Sequence, residues 1–248
     1  MSHRFVIAPD FPPNLFSGWY TLNTLLQKRS NLAVHLETPA SSSEQSLMIA
    51  KGDIDLVYAN PFDAAELIRE KGYKAIARPV GKSDEMVIVS SAKGDIKQLS
   101  DLKPGAKIAM ADNRDVKLIG LRLLEAVDLT ENDVTFEITE TYQAAAKQVA
   151  QGNVDAAFFI AEIFHSLSNL TRMQLNVLIE SDLADITHVL LVKDSFGEAD
   201  AVRDVLLNLK NDADGQAVLA ELGMPNGFEA VSEEEAEFMI DLMDTLLS

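Results

Sequence analysis

The heptad Ile49-Ala50-Lys51-Gly52-Asp53-Ile54-Asp55 returns one hundred residues later as Val149-Ala150-Gln151-Gly152-Asn153-Val154-Asp155. Each copy closes a helical stretch and opens a short apolar run, Leu56-Val57-Tyr58 in the first and Ala156-Ala157-Phe158-Phe159 in the second. The glycine suits the left-handed residue that follows a helix C-terminus, and a continuous apolar run is what a strand buried on both faces requires. In open α/β sheets ligands gather beyond the carboxyl ends of the strands. Two such units predict two α/β lobes with a cleft between them, although a helix, glycine and strand junction is common enough to arise twice by chance.

The alternation of segments supports the same class. Strands are predicted at His3–Ala8, Leu32–Glu37, Ile54–Tyr58 and Lys74–Val80, with helices at about 18–29, 43–51 and 62–71 between them. Gly81-Lys82-Ser83-Asp84 is a turn leading into an apolar strand, Glu85–Ser91, and marks a crossing point between lobes. A second series follows, with strands at Lys107–Ala111, Val134–Ile138, Val154–Phe159, Leu175–Glu180 and Thr187–Val192, and helices at about 116–127 and 142–151. After Asp194 only helices are expected, at about 199–211, 215–222 and 232–247. A helical tail must pack on a sheet already made, so it is assigned to the first lobe, with the chain crossing back near 182–186. The expected division is residues 1–83 and 186–248 as lobe 1 and 84–185 as lobe 2, with mostly parallel sheets.

At 248 residues and 47% hydrophobic the chain can bury a substantial core. Its formal net charge of -18 repels nucleic acid, and the basic residues are scattered. No stretch approaches the roughly 18 to 20 apolar residues of a membrane-spanning helix, and Met1 to Asp10 reads as a first strand, not as a signal peptide. Zero cysteines exclude disulfides, thiolate metal sites and a cysteine nucleophile. His3, His35, His165 and His188 lack metal-ligand spacing, and no nucleophile elbow, phosphate loop or dinucleotide fingerprint is present, so neither cofactor nor metal is expected. Glu233-Glu234-Glu235 follows Ser232 and reads as the acidic first turn of a helix.

Beyond these readings, the order of segments resembles the phosphonate-binding, PhnD-like group of type 2 periplasmic binding proteins, the solute receptors of ABC transporters. The resemblance rests on Ala8-Pro9-Asp10-Phe11-Pro12-Pro13-Asn14 with Trp19-Tyr20-Thr21-Leu22, on Gly52 to Pro61 with Asn60 where a glycine is usual, and on Ile76-Ala77-Arg78-Pro79. Leu99-Ser100-Asp101-Leu102-Lys103-Pro104-Gly105 and Gly152-Asn153-Val154-Asp155-Ala156-Ala157 complete it. It implies two lobes joined by crossing strands and closing on a small ligand.

The resemblance also implies site residues. The family binds phosphonate oxygens with a Ser/Thr-rich turn at a second-lobe helix N-terminus, and here that turn reads Asp112-Asn113-Arg114-Asp115. The two acids would occupy or repel an anion, so simple phosphate and alkylphosphonates are expected to bind poorly. Either Asp112 or Asn113 is a helix cap beside a solvated Arg114, or Arg114 grips an anionic group as a bidentate fork. Ser42 stands where aminoalkylphosphonate binders carry tyrosine, and Tyr142 near a family histidine. Glu162 and Asp185 match the carboxylates that receive a ligand amino group in relatives, with helix capping and a solvated turn as the alternatives. Phe11, Tyr58, Asn60 and Phe158 lie at strand ends where they can touch a small molecule, with core packing the alternative for Phe158.

The expected activity is solute binding without catalysis, by a monomer, of a small polar ligand that is zwitterionic or amine-bearing, with an ABC permease as partner. A periplasmic location follows if the chain is a mature one, and a cytoplasmic one if Met1 is the native start. The alternatives are a cytoplasmic sensor or scaffold of the same fold, a ligand-free interaction module with an acidic surface, and a cofactor-free lyase using Glu162, Asp185 or Tyr142 as acid or base.

Overall fold

The structure, a computed structural model, describes residues 2–9, 11, 13–181 and 186–247. Chain contacts divide it into two compact units, Met1–Ser83 with Asp185–Thr245 and Asp84–Ala184 with Leu246–Ser248.

The first unit is built on a six-stranded sheet. Strands β1 (His3–Ile7), β2 (Val34–Glu37) and β3 (Leu56–Ala59) alternate with helices α1 (Phe16–Ser30), α2 (Ser42–Ala50) and α3 (Pro61–Glu70), and β4 (Tyr73–Pro79) follows. β1 pairs in parallel with β2 and with β3. Both sheet faces are covered: Phe5, Ile7, Leu56 and Tyr58 pack against Trp19, Leu22 and Leu26 of α1, while Val6, Val57 and Ala59 pack against Ala64 and Leu67 of α3. That is why the strand sequences read as unbroken apolar runs.

The second unit carries a five-stranded sheet of β5 (Met86–Ser91), β6 (Ala106–Ala111), β7 (Val134–Thr139), β8 (Ala156–Ile160) and β9 (Leu175–Glu180). Its helices are α4 (Arg114–Glu125), α5 (Tyr142–Ala150), α6 (Ala161–Ser166) and α7 (Asn169–Arg172). β6 pairs in parallel with β7 and β8, and β5 lies antiparallel between β8 and β9.

The chain then returns to the first unit through β10 (Val189–Lys193), which lies antiparallel between β3 and β4. The sheets are therefore mixed, not mostly parallel: β10 in the first and β5 in the second run reversed at the corresponding place, and β11 at the edge of the first is reversed too, giving the orders β2-β1-β3-β10-β4-β11 and β7-β6-β8-β5-β9. The tail holds α8 (Ala199–Asn208), α9 (Ala213–Glu221) and α10 (Glu233–Leu247), with α8 and α9 packed on α1. It is not purely helical. Phe228–Ala230 forms β11, an antiparallel edge strand on β4 that is too short to show a period in the sequence. The second crossing expected near 182–186 lies outside the described residues except for Ile186.

The repeated heptads occupy the same junction in both units. Gly52 and Gly152 have φ of +84° and +72°, where a side chain would be strained. The Asp55 carboxylate accepts the Arg4 N–H at 3.0 Å and its own N–H donates to the Arg4 carbonyl at 3.0 Å. Asp155 makes the same pair with Lys107, at 2.8 and 2.9 Å. Each aspartate thus ties the entry of one strand to the entry of its parallel neighbour. In the first unit β1 and β2 are also joined by the Arg4 guanidinium, which donates to both Glu37 carboxylate oxygens at 2.5 and 2.8 Å. That pair holds the Glu37 carboxyl below the usual carboxylate range.

Candidate functional site

In the first unit the strand ends are fastened together, since the Ala8 N–H donates to the Tyr58 carbonyl at 2.8 Å. Around them lies a run of aromatic rings. Tyr58 sits 4.6 Å from Trp19 and 5.2 Å from His188, which stacks on it, and Phe11 lies 6.1 Å from Trp19 and 6.3 Å from Phe16. Tyr58, Trp19 and His188 are buried, and Phe11 is partly exposed beside the exposed Phe16. Of the expected contacts here, Phe11 is therefore partly open to solvent, whereas Tyr58 is buried within the cluster.

Asn60 has a defined local task. Its side-chain oxygen accepts the Asp63 N–H at 2.8 Å and its amide donates to the Asp63 carboxylate at 3.0 Å, so it caps α3 from both ends of the amide. Pro61 fills the first helical position, where its missing N–H costs nothing. Ser42 is the first residue of α2, whose cap is Ser41; the Ser41 hydroxyl accepts the Glu44 N–H at 3.2 Å.

In the second unit β6 ends at the turn 112–115. Asn113 is the cap of α4, its side-chain oxygen accepting the Val116 N–H at 3.0 Å. Asp115 is buried in the first turn, where a carboxylate complements the helix dipole. Arg114 is exposed, and its guanidinium makes no ion pair among the described residues. The turn thus carries its own buried acid at the helix start and leaves a cation at the surface. Tyr142 opens α5 after the cap Thr141 and packs 5.9 Å from Phe159. Glu162 is exposed in the first turn of α6, a helix that has no side-chain cap.

Phe158 does not line a site. It is fully buried, set edge-on 5.8 Å from Phe136, and it fills the space left by Gly120 on α4, where an added Cβ would lie 2.2 Å from the ring. Its strand position placed it near the β8 end, but its face of the sheet is the one α4 covers. Asp185 lies outside the described residues.

The structure thus puts Phe11, Ser42, Tyr58 and Asn60 at the strand-end face of the first sheet and Asn113, Arg114, Tyr142 and Glu162 at that of the second. Sequence reasoning passed over Trp19 and His188 as partners of Tyr58, and over Gln45. A cavity of about 310 Å³ in the first unit, among Lys74, Ile76, Arg203 and Ile240, lies by the start of β4 and so away from the strand ends. Among the described residues no group of His, Asp and Glu is arranged to hold a metal ion, and no helix is long and apolar enough to cross a membrane.

Residues 5–236 match the family described as ABC transporter, phosphonate, periplasmic substrate-binding protein. The chain matches none of the curated proteins. It superposes on PhnD1 of Prochlorococcus marinus in complex with methylphosphonate with a TM-score of 0.82 at 14% identity, covering 99% of this chain and 98% of that one. A binding component of an ABC phosphonate transporter from Pseudomonas aeruginosa gives 0.77 at 16% identity, covering 98% and 86% of the two chains. The periplasmic aliphatic sulphonate-binding protein SsuA of Escherichia coli gives 0.71 at 19% identity, covering 98% and 92%. At these identities the superpositions speak for the fold.

Proposed function

The chain belongs to the family of periplasmic substrate-binding proteins of ABC phosphonate transporters, and from that premise we propose that it is a receptor for a small, polar, amine-bearing solute. Family membership brings with it a small-molecule ligand and a permease partner. The finer reading rests chiefly on the turn 112–115. A helix N-terminus attracts anions through its free N–H groups and dipole, but at α4 a buried carboxylate of the chain itself, Asp115, already supplies that charge. A doubly charged phosphonate would have to compete with it, and so a phosphonate is a poor candidate at this helix.

The exposed Glu162 carboxylate at the start of α6 supports the amine, which a charge-assisted hydrogen bond would hold. Asp185 is proposed as its companion on sequence position alone. Arg114, exposed and without an ion pair among the described residues, is the residue proposed to fork onto an anionic group of the solute. The receptor is proposed to work as a monomer and to release its solute unchanged.

A thermal-shift panel of phosphate, alkylphosphonates, sulfonates, amino acids and quaternary amines tests the reading. A ligand at a hundred times its dissociation constant stabilises the folded state by about 2.7 kcal/mol, which for a protein of this size is several degrees. An amine-bearing compound should give the largest shift, Glu162→Gln should remove most of it, and the compound should be recovered chemically intact. Methylphosphonate at the head of the panel, with Glu162→Gln without effect, would overturn the proposal.

A further inference from the structure

The outer edge of β4 is only partly covered. β11 pairs with it at Pro79, Arg78 and Ala77 and stops there. The Val231 N–H still reaches the Ile76 carbonyl at 3.4 Å, and the chain then turns away into α10. Since β4 has β10 on one side and β11 on the other, no strand among the described residues lies beside residues 73–75 on the outer side. The backbone there points outward. The Gly72 carbonyl accepts the Asp194 N–H at 2.8 Å and Lys74 is in register with Val192, so Gly72 and Lys74 turn their backbone groups to β10. By the alternation of an antiparallel ladder, the N–H and C=O groups of Tyr73 and Ala75 face the other way.

This stretch of edge is walled on both faces of the sheet. On one face α8 packs Ala199 and Val202 with Ile76 and Ala77; on the other, Met239 of α10 and Leu67 of α3 pack with Tyr73. Between the walls lies the cavity of about 310 Å³, with Ala75 and Ile76 in its floor and Ile68 and Ile240 in its apolar lining. It has the place of a strand, beside a sheet edge and between the helices that cover the two faces. The α10 wall is already fixed. Arg69 of α3 donates to the Ile240 carbonyl at 3.3 Å and pairs with Asp244 at 2.5 Å, while Arg78 of β4 pairs with Glu229 at 2.7 Å and Glu235 at 2.9 Å. An occupant therefore bears no cost of ordering that wall.

The two walls differ in charge. Glu233 and Glu237 line the α10 side one turn apart, and neither has an ion pair among the described residues. Like charges at this spacing repel, so a cation beside them is favoured. Side chains alternate along a strand, which puts Lys74 on the face opposite to Tyr73 and Ala75, toward α8. Arg203 of α8 lines the same side, 2.7 Å from Asp200. We propose that this slot docks an extended segment of a partner protein, added to the sheet as a strand beside residues 73–75, with basic side chains toward α10 and an acidic one between them toward α8. Residues directly opposite across a ladder share a face, so the segment reads base, acid, base. The apolar stem of a lysine can lie along Ile68 and Ile240 while its charge reaches the carboxylates. Backbone bonds supply affinity in strand addition, and alternate side chains supply specificity. The docking site uses none of the residues assigned to the solute and goes beyond the receptor reading.

Calorimetry on the full chain with capped pentapeptides tests this. Acetyl-Val-Lys-Glu-Lys-Val-amide should bind. Acetyl-Val-Lys-Lys-Glu-Val-amide has the same composition and charge, but its neighbouring lysines point to opposite walls, and it should bind about fivefold more weakly or worse. The net charge of -18 attracts both alike, so the difference reads the alternation alone. In the first peptide the two lysines turn their N–H groups to β4 and the glutamate turns its own away. Methylating both lysine backbone nitrogens should weaken binding about tenfold or more, and methylating that of the glutamate by about twofold at most. Glu237→Gln, at an exposed position, should lower affinity for the first peptide about two- to fivefold and leave the melting temperature of the free protein unchanged.

Equal affinity for the two orders of charge, or undiminished binding of the lysine-methylated peptide, overturns strand addition. Unchanged affinity in Glu237→Gln places the peptide elsewhere and overturns the slot, as does the absence of binding by any of the peptides. A compound of the solute panel whose stabilising effect is lost in Glu237→Gln would mean that the slot takes a small molecule, and would overturn the partner segment. The thermal-shift panel with Glu162→Gln decides the receptor reading separately.

Discussion

At the end of β3 the first unit places Asn60, which caps α3 with both ends of its amide; at the corresponding end of β8 the second unit places Ile160, and α6 begins with no side-chain cap. At the other end of the same strands the two units are alike. Asp55 and Asp155 make matching pairs of bonds to Arg4 and Lys107, and glycines 52 and 152 take the same left-handed turn. The likeness lies where strands enter the sheet, and the difference where they leave it. Strand entry has to solve the same packing problem twice, whereas at the strand ends each unit caps the helix that follows in its own way.

The comparison can be broken first at the core of the second unit. Gly120→Ala drives a Cβ into the Phe158 ring, and overpacking a core of this kind costs about 1 to 3 kcal/mol. Adding Phe158→Leu should recover part of that loss in chemical denaturation, because the two sites are in contact. Fully additive losses would mean that Phe158 is not the residue Gly120 accommodates.

A nearly equal effect is expected at the repeated aspartates. Asp55→Ala and Asp155→Ala each remove a carboxylate bond to a strand N–H and should cost about 1.5 to 3 kcal/mol apiece. Neither should change solute affinity by more than about twofold, since both lie at the opposite end of the strands from Tyr58 and Phe159. A large loss of binding in one of them alone would show that the repeat is not purely structural.

A smaller difference separates the units in acid. Lys107 and Glu137 hold the register positions of Arg4 and Glu37, the acid two residues beyond the base's direct partner in a parallel pair, yet they form no ion pair among the described residues. A lysine lacks the planar fork with which Arg4 engages both oxygens of Glu37. Because the Glu37 carboxyl is held below its ordinary value of 4.5, its stabilising contribution is present above that value and is lost as pH falls through the lowered one. Melting temperature followed from pH 6 to pH 3 should therefore fall less steeply for Glu37→Gln than for the parent, and Glu137→Gln should follow the parent curve. Identical curves for all three would remove Glu37 from the acid response.

The smallest effect is expected at Arg114. Because Arg114 is exposed and has no ion pair among the described residues, its change to Ala should leave stability within about 0.5 kcal/mol while weakening an anion-bearing solute. A large drop in melting temperature would instead make Arg114 part of the α4 turn.

The sequence alone determined the class of fold, because burial on two faces writes itself as apolar runs such as Leu56 to Ala59, and a strand entry that needs a left-handed residue writes itself as glycine. It also disclosed that the α4 turn is acidic. It did not disclose the reversed strands β5 and β10, since an apolar run carries no sign of direction, nor β11, whose three residues have no measurable period. Phe158 read as a strand-end contact because period two does not say which face a helix will cover; Gly120, distant in sequence, settled that by leaving room for the ring. Gln45, lying among serines and a glutamate, gave no sign in the sequence of the burial it has in α2. Local pattern is set by each residue's own preference for water or core, which the chain carries with it. Which polar group ends up without water depends on how separate segments come together, and only the tertiary structure decides it.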